Sequence, residues 1–244
     1  MKRTGIKIVS VNIEMNRHIE AVSSFLKREQ PDAVCFQELL EQDIPYFETL
    51  LGMTGKFVPT AILACPGFDA EVMGEPFGVA MFSRFEMTYD VAYYSGEPSS
   101  LPRCVEGREG NKVLLRGTFS KNGKDFTLGV THFTWTPDGV ADEAQRSDIN
   151  AFLSVAAESP EIILCGDFNA PRGREIWGKI AERYHDNIPL SYDSSIDPHL
   201  HRAGHLRYVV DGLFSTGGYL VSDVLLVEGI SDHKAIVGFI ERVG

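Results

Sequence analysis

The sequence predicts an α/β protein in which two β-sheets pack as a sandwich, accompanied by only a few helices. Short apolar segments typical of β-strands recur along the whole chain of 244 residues, whereas segments with helical periodicity are fewer. The two kinds of segment do not alternate regularly, which disfavours a doubly wound parallel sheet. The composition, with 43% hydrophobic and 23% charged residues, is that of a globular protein with a buried core.

Eight apolar segments are predicted to form strands. Residues 162–165 (Ile-Ile-Leu-Cys) include no charged or amide side chain, which indicates a central strand covered on both faces. The sequence Lys121-Asn122-Gly123-Lys124 separates two of the segments and predicts a hairpin turn, because Asn and Gly both tolerate a positive φ. The predicted strands are residues 6–11, 33–36, 77–82, 112–119, 126–131, 162–165, 209–214 and 235–240.

Four segments have the spacing of a helix with one buried face. The first is predicted to end at Gln30-Pro31, and the second is predicted to begin with Asp43 as N-cap and Pro45 in the first turn. The apolar faces consist of Ile19, Val22 and Leu26; Phe47, Leu50 and Leu51; Ile149, Phe152, Leu153 and Ala156; and Ile176, Trp177 and Ile180, the last within residues 174–181.

Charge and composition exclude several classes of protein. The formal charge of −11 argues against a protein that coats nucleic acid by long-range attraction, but it allows a local basic groove or a metal site. The four cysteines form no CxxC pair, so neither a zinc ribbon nor a thioredoxin-type motif is expected. No apolar run approaches the roughly 18 residues of a membrane span, and no signal-peptide core follows the basic start at residues 1–5. We therefore expect a cytoplasmic monomer, one domain over residues 1–244, with no membrane span and no stable protein partner.

Polar residues stand out where the predicted strands end or begin. Strand ends meet along one edge of a sheet, so groups that are distant in sequence are expected to lie close together there. Each motif alone is also compatible with an ordinary turn, a cap or a solvated helix start. The residues concerned are Asn12, Gln37-Glu38, His132, Gly166-Asp167-Phe168-Asn169, Asp211 and Ser231-Asp232-His233.

The chemistry of these side chains favours a divalent cation beside a phosphate group. Carboxylate and amide oxygens are hard ligands that suit Mg²⁺ or Mn²⁺. Asp167 and Asn169 lie two residues apart, so an extended backbone would place both on the same side, where they would orient a water molecule. Asp211 next to His233 would fix the tautomer of the imidazole and favour its charged form, which stabilises a phosphate in the transition state.

Taken together, these motifs and their order resemble the endonuclease/exonuclease/phosphatase superfamily, the deoxyribonuclease-I-like metal-dependent phosphoesterases. The resemblance runs from residue 6 to residue 240, and Gly-Asp-Phe-Asn with Ser-Asp-His carries most of it. It implies an α/β fold of four layers, an α/β/β/α sandwich of two mixed, mostly antiparallel sheets with helices outside. It also implies Mg²⁺ as cofactor, with Mn²⁺ as the alternative.

The resemblance further implies roles for individual residues. Glu38 would bind the metal, with Asn12 and Asp232 close to it. Asp167 would orient or deprotonate the attacking water, and Asn169 would hold the water or the phosphate. His233, paired with Asp211, would stabilise the pentacovalent phosphate, and His132 would contact the phosphate or assist the leaving oxygen. Glu14 replaces the family's usual second asparagine and is interpreted either as a further carboxylate of the metal site or as a surface residue.

The substrate is the least constrained part of the interpretation. The segment from His132 to Arg146 resembles the tyrosyl-DNA phosphodiesterase branch, which favours a phosphodiester in nucleic acid, with Trp135, Asn12 and Arg207 as substrate-binding residues. The alternatives are a phosphatase or phospholipase C-type enzyme acting on an inositol phosphate or sphingomyelin, and a binding module with a degenerate site. His199, His201 and His205 form either a transition-metal site or part of a mobile surface loop that covers the substrate.

Overall fold

Two β-sheets pack face to face in the computed structural model, which describes residues 4–243 of the chain. Most of the basic start of the sequence, residues 1–3, therefore lies outside the described residues. The strands are β1 (Ile6–Asn12), β2 (Ala33–Leu40), β3 (Thr54–Leu63), β4 (Pro76–Ser83), β5 (Met87–Ser95), β6 (Arg103–Cys104), β7 (Lys112–Lys121), β8 (Lys124–His132), β9 (Ile163–Asp167), β10 (His185–Asp186), β11 (Asp211–Ser215), β12 (Tyr219–Val227) and β13 (Ala235–Arg242). The helices are α1 (Ile19–Glu29), α2 (Ile44–Leu51), α3 (Glu143–Ala156) and α4 (Glu175–Ala181).

The two sheets have similar arrangements of strands. The seven-stranded sheet has the order β12-β13-β1-β2-β4-β3-β6, and the six-stranded sheet has the order β10-β11-β9-β8-β7-β5. Each sheet contains a parallel pair near its centre, β1 with β2 and β8 with β9, flanked on both sides by antiparallel strands. The predicted mixed, mostly antiparallel sheets are thereby confirmed.

Alternating residues of the central strands divide between two hydrophobic layers. In β2, Ala33 and Cys35 belong to the core that includes the space between the sheets, whereas Val34 and Phe36 belong to the core beneath α1 and α2. Helices α3 and α4 cover the outer face of the six-stranded sheet with residues such as Phe152. The result is the four-layer α/β/β/α sandwich that the resemblance implied. None of the helices within residues 4–243 is long and apolar enough to cross a membrane.

Three long strands were absent from the prediction, and two local expectations were wrong. Strands β3, β5 and β12 carry polar or exposed residues at many positions, so they lack a continuous apolar signal. Asp43 makes no capping hydrogen bond with its side chain and already has helical backbone angles. The strand predicted to begin at residue 209 begins at Asp211. The hairpin turn is confirmed, because Asn122 and Gly123 both have positive φ.

Candidate active site

The two parallel strand pairs end at the same edge of the sandwich. Asn12 pairs in register with Gln37 at the ends of β1 and β2, and His132 pairs with Asp167 at the ends of β8 and β9. The amide Nδ2 of Asn12 donates to Glu38 Oε1 at 3.1 Å in its own sheet and to Asp167 Oδ2 at 3.2 Å in the other sheet. The structure therefore brings strand-end residues of both sheets into one site. Because the amide oxygen of Asn12 accepts from the backbone N–H of Glu14, this amide orients two carboxylates in the structure.

Glu38 reaches the site because β2 is irregular at this point. The pairing of β2 with β4 shifts between Phe36 and Leu39, and Glu38 has a φ of 57°. Such a bulge redirects a side chain that a regular strand would hold elsewhere. Burial raises the pKa of Glu38 to about 7, and the negative charge of Asp232 adds to this effect.

Asp167 lies between the two histidines of the site. Its Oδ2 atom is 3.6 Å from Nε2 of His132 and 3.7 Å from Nε2 of His233. Its Oδ1 atom accepts a hydrogen bond of 2.8 Å from the backbone N–H of Asn169. Burial raises the pKa of Asp167 to about 6, although the charge of His233 opposes the rise. A carboxylate with this pKa is suited to accept a proton near neutral pH.

Asn169 does not continue an extended strand, so that part of our expectation was wrong. The strand β9 ends at Asp167, and Asn169 has a φ of 50° in the left-handed region. Its Nδ2 donates to the carbonyl oxygen of Phe133 at 3.1 Å, which fixes the side chain beside the loop that follows His132. Asn169 thus lies next to Asp167 through a tight turn.

His233 is held by a buried carboxylate. Its Nδ1 is 2.8 Å from Asp211 Oδ2, and Asp211 pairs in register with Asp167 across β11 and β9. Burial would lower the pKa of His233, but the charges of Asp211, Asp167 and Asp232 outweigh this and raise it well above its usual value. His233 is consequently a cation at neutral pH.

The pKa of His132 is shifted in the opposite direction to that of His233. Burial lowers its pKa well below the usual value, and the positive charges of Lys112 and His233 add to the effect. At neutral pH the site therefore contains one neutral imidazole and one imidazolium on either side of the same carboxylate. Environments that separate the pKa values of neighbouring groups in this way are common in catalytic sites.

The oxygen donors of the site fit a divalent cation. Glu38 lies beside Asp232, and the repulsion between them contributes to the raised pKa of Glu38. A bound divalent cation would neutralise this negative charge, and carboxylate oxygens are the ligands that Mg²⁺ and Mn²⁺ prefer. Asp232 also lies within 4.8 Å, atom to atom, of Glu14 and His18. Glu14 is partly buried. Its carboxylate accepts a hydrogen bond from Arg17 and lies 3.0 Å from Nε2 of His18, so its side chain is not simply exposed to solvent.

The predicted substrate-binding residues Trp135 and Arg207 lie outside this cluster. Trp135 is 38% exposed and stacks against the guanidinium of Arg108, which is 5.0 Å from the ring centroid. The side chain of Arg207 is 76% exposed and lies 3.9 Å from Asp193. Trp135 follows His132 by three residues in the sequence.

Several residues around the site were missed by sequence reasoning. Ser195 Oγ accepts the backbone N–H groups of Val210 and Asp211, and Asp197 donates its backbone N–H to the carbonyl oxygen of Asp232. Lys112 lies near His132, Asp148 and Asp167, and burial lowers the pKa of its ammonium group. Nothing in their local sequence distinguishes Ser195 or Lys112 from ordinary strand or loop residues, because their roles depend on long-range contacts.

The sequence also matches the model of a known protein family. The model of the Endonuclease/Exonuclease/phosphatase family matches residues 9–233. The chain belongs to this family. The match spans every strand-end residue described above, from Asn12 to His233, and confirms the resemblance found in the sequence. Members of the family are hydrolases that act on phosphoesters and generally depend on a divalent metal ion.

Solved structures with the same fold cover the chain almost completely. An endonuclease/exonuclease/phosphatase from Bacteroides vulgatus is 17% identical, with a TM-score of 0.73, and the alignment covers 99% of this chain and 100% of that one. The human Nocturnin catalytic domain with bound sulfate anion is 22% identical, with a TM-score of 0.71 and coverage of 99% and 95%. A mannosyl-6-phosphatase from Bacteroides thetaiotaomicron is 13% identical, with a TM-score of 0.69 and coverage of 97% and 99%. No curated protein matches the chain in sequence at a significant level.

Proposed function

We propose that the protein is a Mg²⁺-dependent phosphoesterase that hydrolyses a phosphodiester in nucleic acid, such as a damaged or protein-linked end. The observation that carries the proposal is the position of Asp167, whose Oδ2 lies 3.6 Å from the neutral His132 and 3.7 Å from the cationic His233. Glu38 and Asp232 supply carboxylates beside this group. Acid–base and anion-binding groups therefore lie at one edge of the sandwich, beside carboxylates that would hold a cation.

The proposed mechanism assigns one task to each residue. Asp167 accepts the proton of the attacking water, because burial has raised its pKa to about 6. His233, oriented and charged through Asp211, binds the phosphate oxygens whose negative charge grows in the transition state. His132 donates a hydrogen bond to the phosphate from Nε2 while it remains neutral. Glu38 and Asp232 would hold the divalent cation, which supplies further stabilisation of the phosphate charge when bound.

Two features support a nucleic-acid substrate. The exposed Trp135, three residues after His132 in the sequence, forms an aromatic and cationic surface with the guanidinium of Arg108, which suits a base and a phosphate. A further neighbour with this fold is ANGEL2, a 2',3'-cyclic phosphatase solved with adenosine-2',3'-vanadate, at 14% identity and a TM-score of 0.66.

A small-molecule phosphatase is the second candidate. The net charge of −11 disfavours a long polyanion. A cavity of about 430 Å³ is lined by Ala170, which directly follows Asn169 in the sequence, and by residues that include Arg174 and Tyr208. The mannosyl-6-phosphatase from Bacteroides thetaiotaomicron shares the fold. A compact phosphorylated ligand would suit this cavity.

An activity panel tests both candidates. The substrates are 5′-phosphotyrosyl DNA, abasic duplex DNA, single-stranded DNA, inositol phosphates and sphingomyelin, each with Mg²⁺, with Mn²⁺ or with EDTA. We expect turnover of a nucleic-acid substrate that EDTA abolishes. Asp167→Asn is expected to lower kcat about 10²- to 10⁴-fold, the usual contribution of a general base.

His233→Ala is expected to lower kcat about 10²- to 10³-fold, the usual effect of removing one group that stabilises transition-state charge. The matched control is His185→Ala, which removes an exposed imidazole on β10 and should leave kcat unchanged. Unaltered rates in Asp167→Asn and His233→Ala, with folding retained, would refute the assignment of the site. Tight binding of a substrate without any turnover would favour the binding module.

A further inference from the structure

The loop that precedes β11 is fixed by backbone hydrogen bonds to residues 232–234, just before β13. Ile196 forms an antiparallel bridge with His233, and Asp197 N–H donates to the carbonyl oxygen of Asp232 at 2.8 Å. Lys234 N–H donates to the carbonyl oxygen of Ser195 at 2.7 Å. The side chain of Asp197 adds a bond of 2.7 Å from the backbone N–H of Gly229. This part of the loop therefore has a defined position against the site.

Of the three histidines in this loop, His201 is the one directed toward the site. Its ring centroid is 6.3 Å from that of His233, with the ring planes at 74°. Asp232, His233 and Glu14 are among its charged neighbours. His199 and His205 are exposed, and within residues 4–243 neither belongs to a group of side chains spaced for a metal ion. The transition-metal alternative for the three histidines is thus not supported by their positions.

The hydrogen bond to the other ring nitrogen fixes the tautomer of His201. The backbone N–H of Ala203 donates to Nδ1 at 3.2 Å, so Nδ1 carries a lone pair and not a proton. The neutral ring then carries its proton on Nε2, which makes that atom a donor and leaves it no lone pair for a metal ion. Within the part of the chain that the structure describes, no acceptor is hydrogen-bonded to Nε2 of His201.

We propose that His201 is a further substrate-binding residue, which donates a hydrogen bond from Nε2 to a non-bridging oxygen of the phosphate held by His233. The inference rests on the proposed function, because it requires a phosphate group at this edge of the sandwich. An anionic oxygen is the partner that a neutral N–H donor suits best, because hydrogen bonds to charged acceptors are the stronger ones. The phosphate would then be bound by the loop that carries His201 as well as by residues at the strand ends.

Binding of orthovanadate and inorganic phosphate to the whole protein tests this role directly. His201→Ala removes the donor, and we expect Kd for both anions and KM for the phosphoester substrate to rise about tenfold or more, since a hydrogen bond to a charged group contributes at least this much. His201→Gln places an N–H close to the position of Nε2 and is expected to recover most of the affinity. The matched control is His199→Ala, which removes an exposed ring from the same loop and should change neither constant.

Nuclear magnetic resonance of the histidine rings provides a readout that a purely structural role would not move. We expect phosphate to shift the Nε2 and Hε1 resonances of His201 in the wild-type protein. The inference would be overturned if His201→Ala bound the anions as tightly as wild type, or if phosphate did not shift the resonances of His201. Turnover by the wild-type protein would still support the proposed function in that case. A wild-type protein that binds neither anion and hydrolyses no phosphoester would overturn both.

Discussion

At the scale of single residues, the charge of His233 depends on its partner Asp211. The 2.8 Å contact between His233 Nδ1 and Asp211 Oδ2 is buried, and the carboxylates around His233 raise its pKa well above the usual value. If the cation binds phosphate, activity persists as the pH rises until it passes through this raised pKa. Asp211→Asn removes the nearest negative charge, so we expect the alkaline limb of the profile of kcat/KM against pH to move to lower pH.

Asp211→Asn should also change how the stability of the fold depends on pH. A raised pKa in the folded state stabilises the fold fully below the histidine pKa of the unfolded chain, and this contribution disappears as pH rises through the raised value. Wild type should therefore lose stability over that window, whereas Asp211→Asn should lose much less. Ring titration by nuclear magnetic resonance gives the pKa of His233 in both proteins. An alkaline limb that stays in place although the pKa of His233 falls would show that another group controls it.

At the scale of elements, helix α3 connects the loops that follow β8 and β9. Asp142 caps the helix, with Oδ1 accepting the backbone N–H of Gln145 at 2.8 Å. The buried side chain of Gln145 donates to the carbonyl oxygens of Thr134 at 2.8 Å and Asn169 at 3.4 Å. The start of α3 therefore positions the segments that carry the two catalytic strand ends.

We expect Asp142→Ala to lower the free energy of unfolding by about 1 kcal/mol, the usual effect of removing an N-cap side chain. Urea denaturation measures this difference. Asp142→Asn is the matched variant, because asparagine caps about as well as aspartate, and it should unfold close to wild type. Equal losses in the two variants would mean that the charge of Asp142, and not its hydrogen bond, stabilises the helix.

The central elements could be predicted because their sequences carry a strong local signal. Strands β2 and β9 begin with several consecutive apolar residues, whereas apolar residues alternate with polar residues or glycine along much of β1 and β8, and a polar residue stands at or near the end of each apolar pattern. Strands β3 and β12 escaped prediction because polar residues interrupt their apolar positions, and their place in the sheet depends on neighbours far along the chain.

The site was predictable to the extent that it consists of strand ends. Asn12, His132 and Asp167 are the last residues of their strands, so their convergence follows from the sheet. The irregular pairing that redirects Glu38 is not encoded by any local pattern in the sequence. The loop that carries His201 is likewise placed by backbone hydrogen bonds, which join Ser195 and Asp197 to residues more than 30 positions further along the chain.

At the scale of the whole molecule, the site joins the two sheets through groups of mostly like charge. Glu38 comes from the seven-stranded sheet and Asp232 lies three residues before its strand β13, whereas Asp167 and Asp211 come from the six-stranded sheet. Burial raises the pKa of Glu38 to about 7, and the negative charge of Asp232 adds to the rise. A divalent cation between these groups should stabilise the sandwich as a whole.

We therefore expect Mg²⁺ or Mn²⁺ to raise Tm and EDTA to lower it again. A ligand at about 100 times its Kd stabilises the folded state by about 2.7 kcal/mol, which for a chain of this size corresponds to a rise in Tm of roughly 5–11 °C. The rise should be larger at pH 8 than at pH 6, because Glu38 must lose its proton to bind the cation. Differential scanning calorimetry with and without metal measures both effects.

Glu38→Gln distinguishes binding of the cation at this site from binding to surface carboxylates, which are numerous in a protein with net charge −11. The amide keeps the size of the side chain and removes its charge, so the metal-dependent rise in Tm should shrink strongly. Asp69→Asn removes one carboxylate from the loop between β3 and β4 and should leave the rise intact. An undiminished rise in Glu38→Gln would show that the cation stabilises the fold elsewhere, because a surface site has no reason to respond to a buried carboxylate.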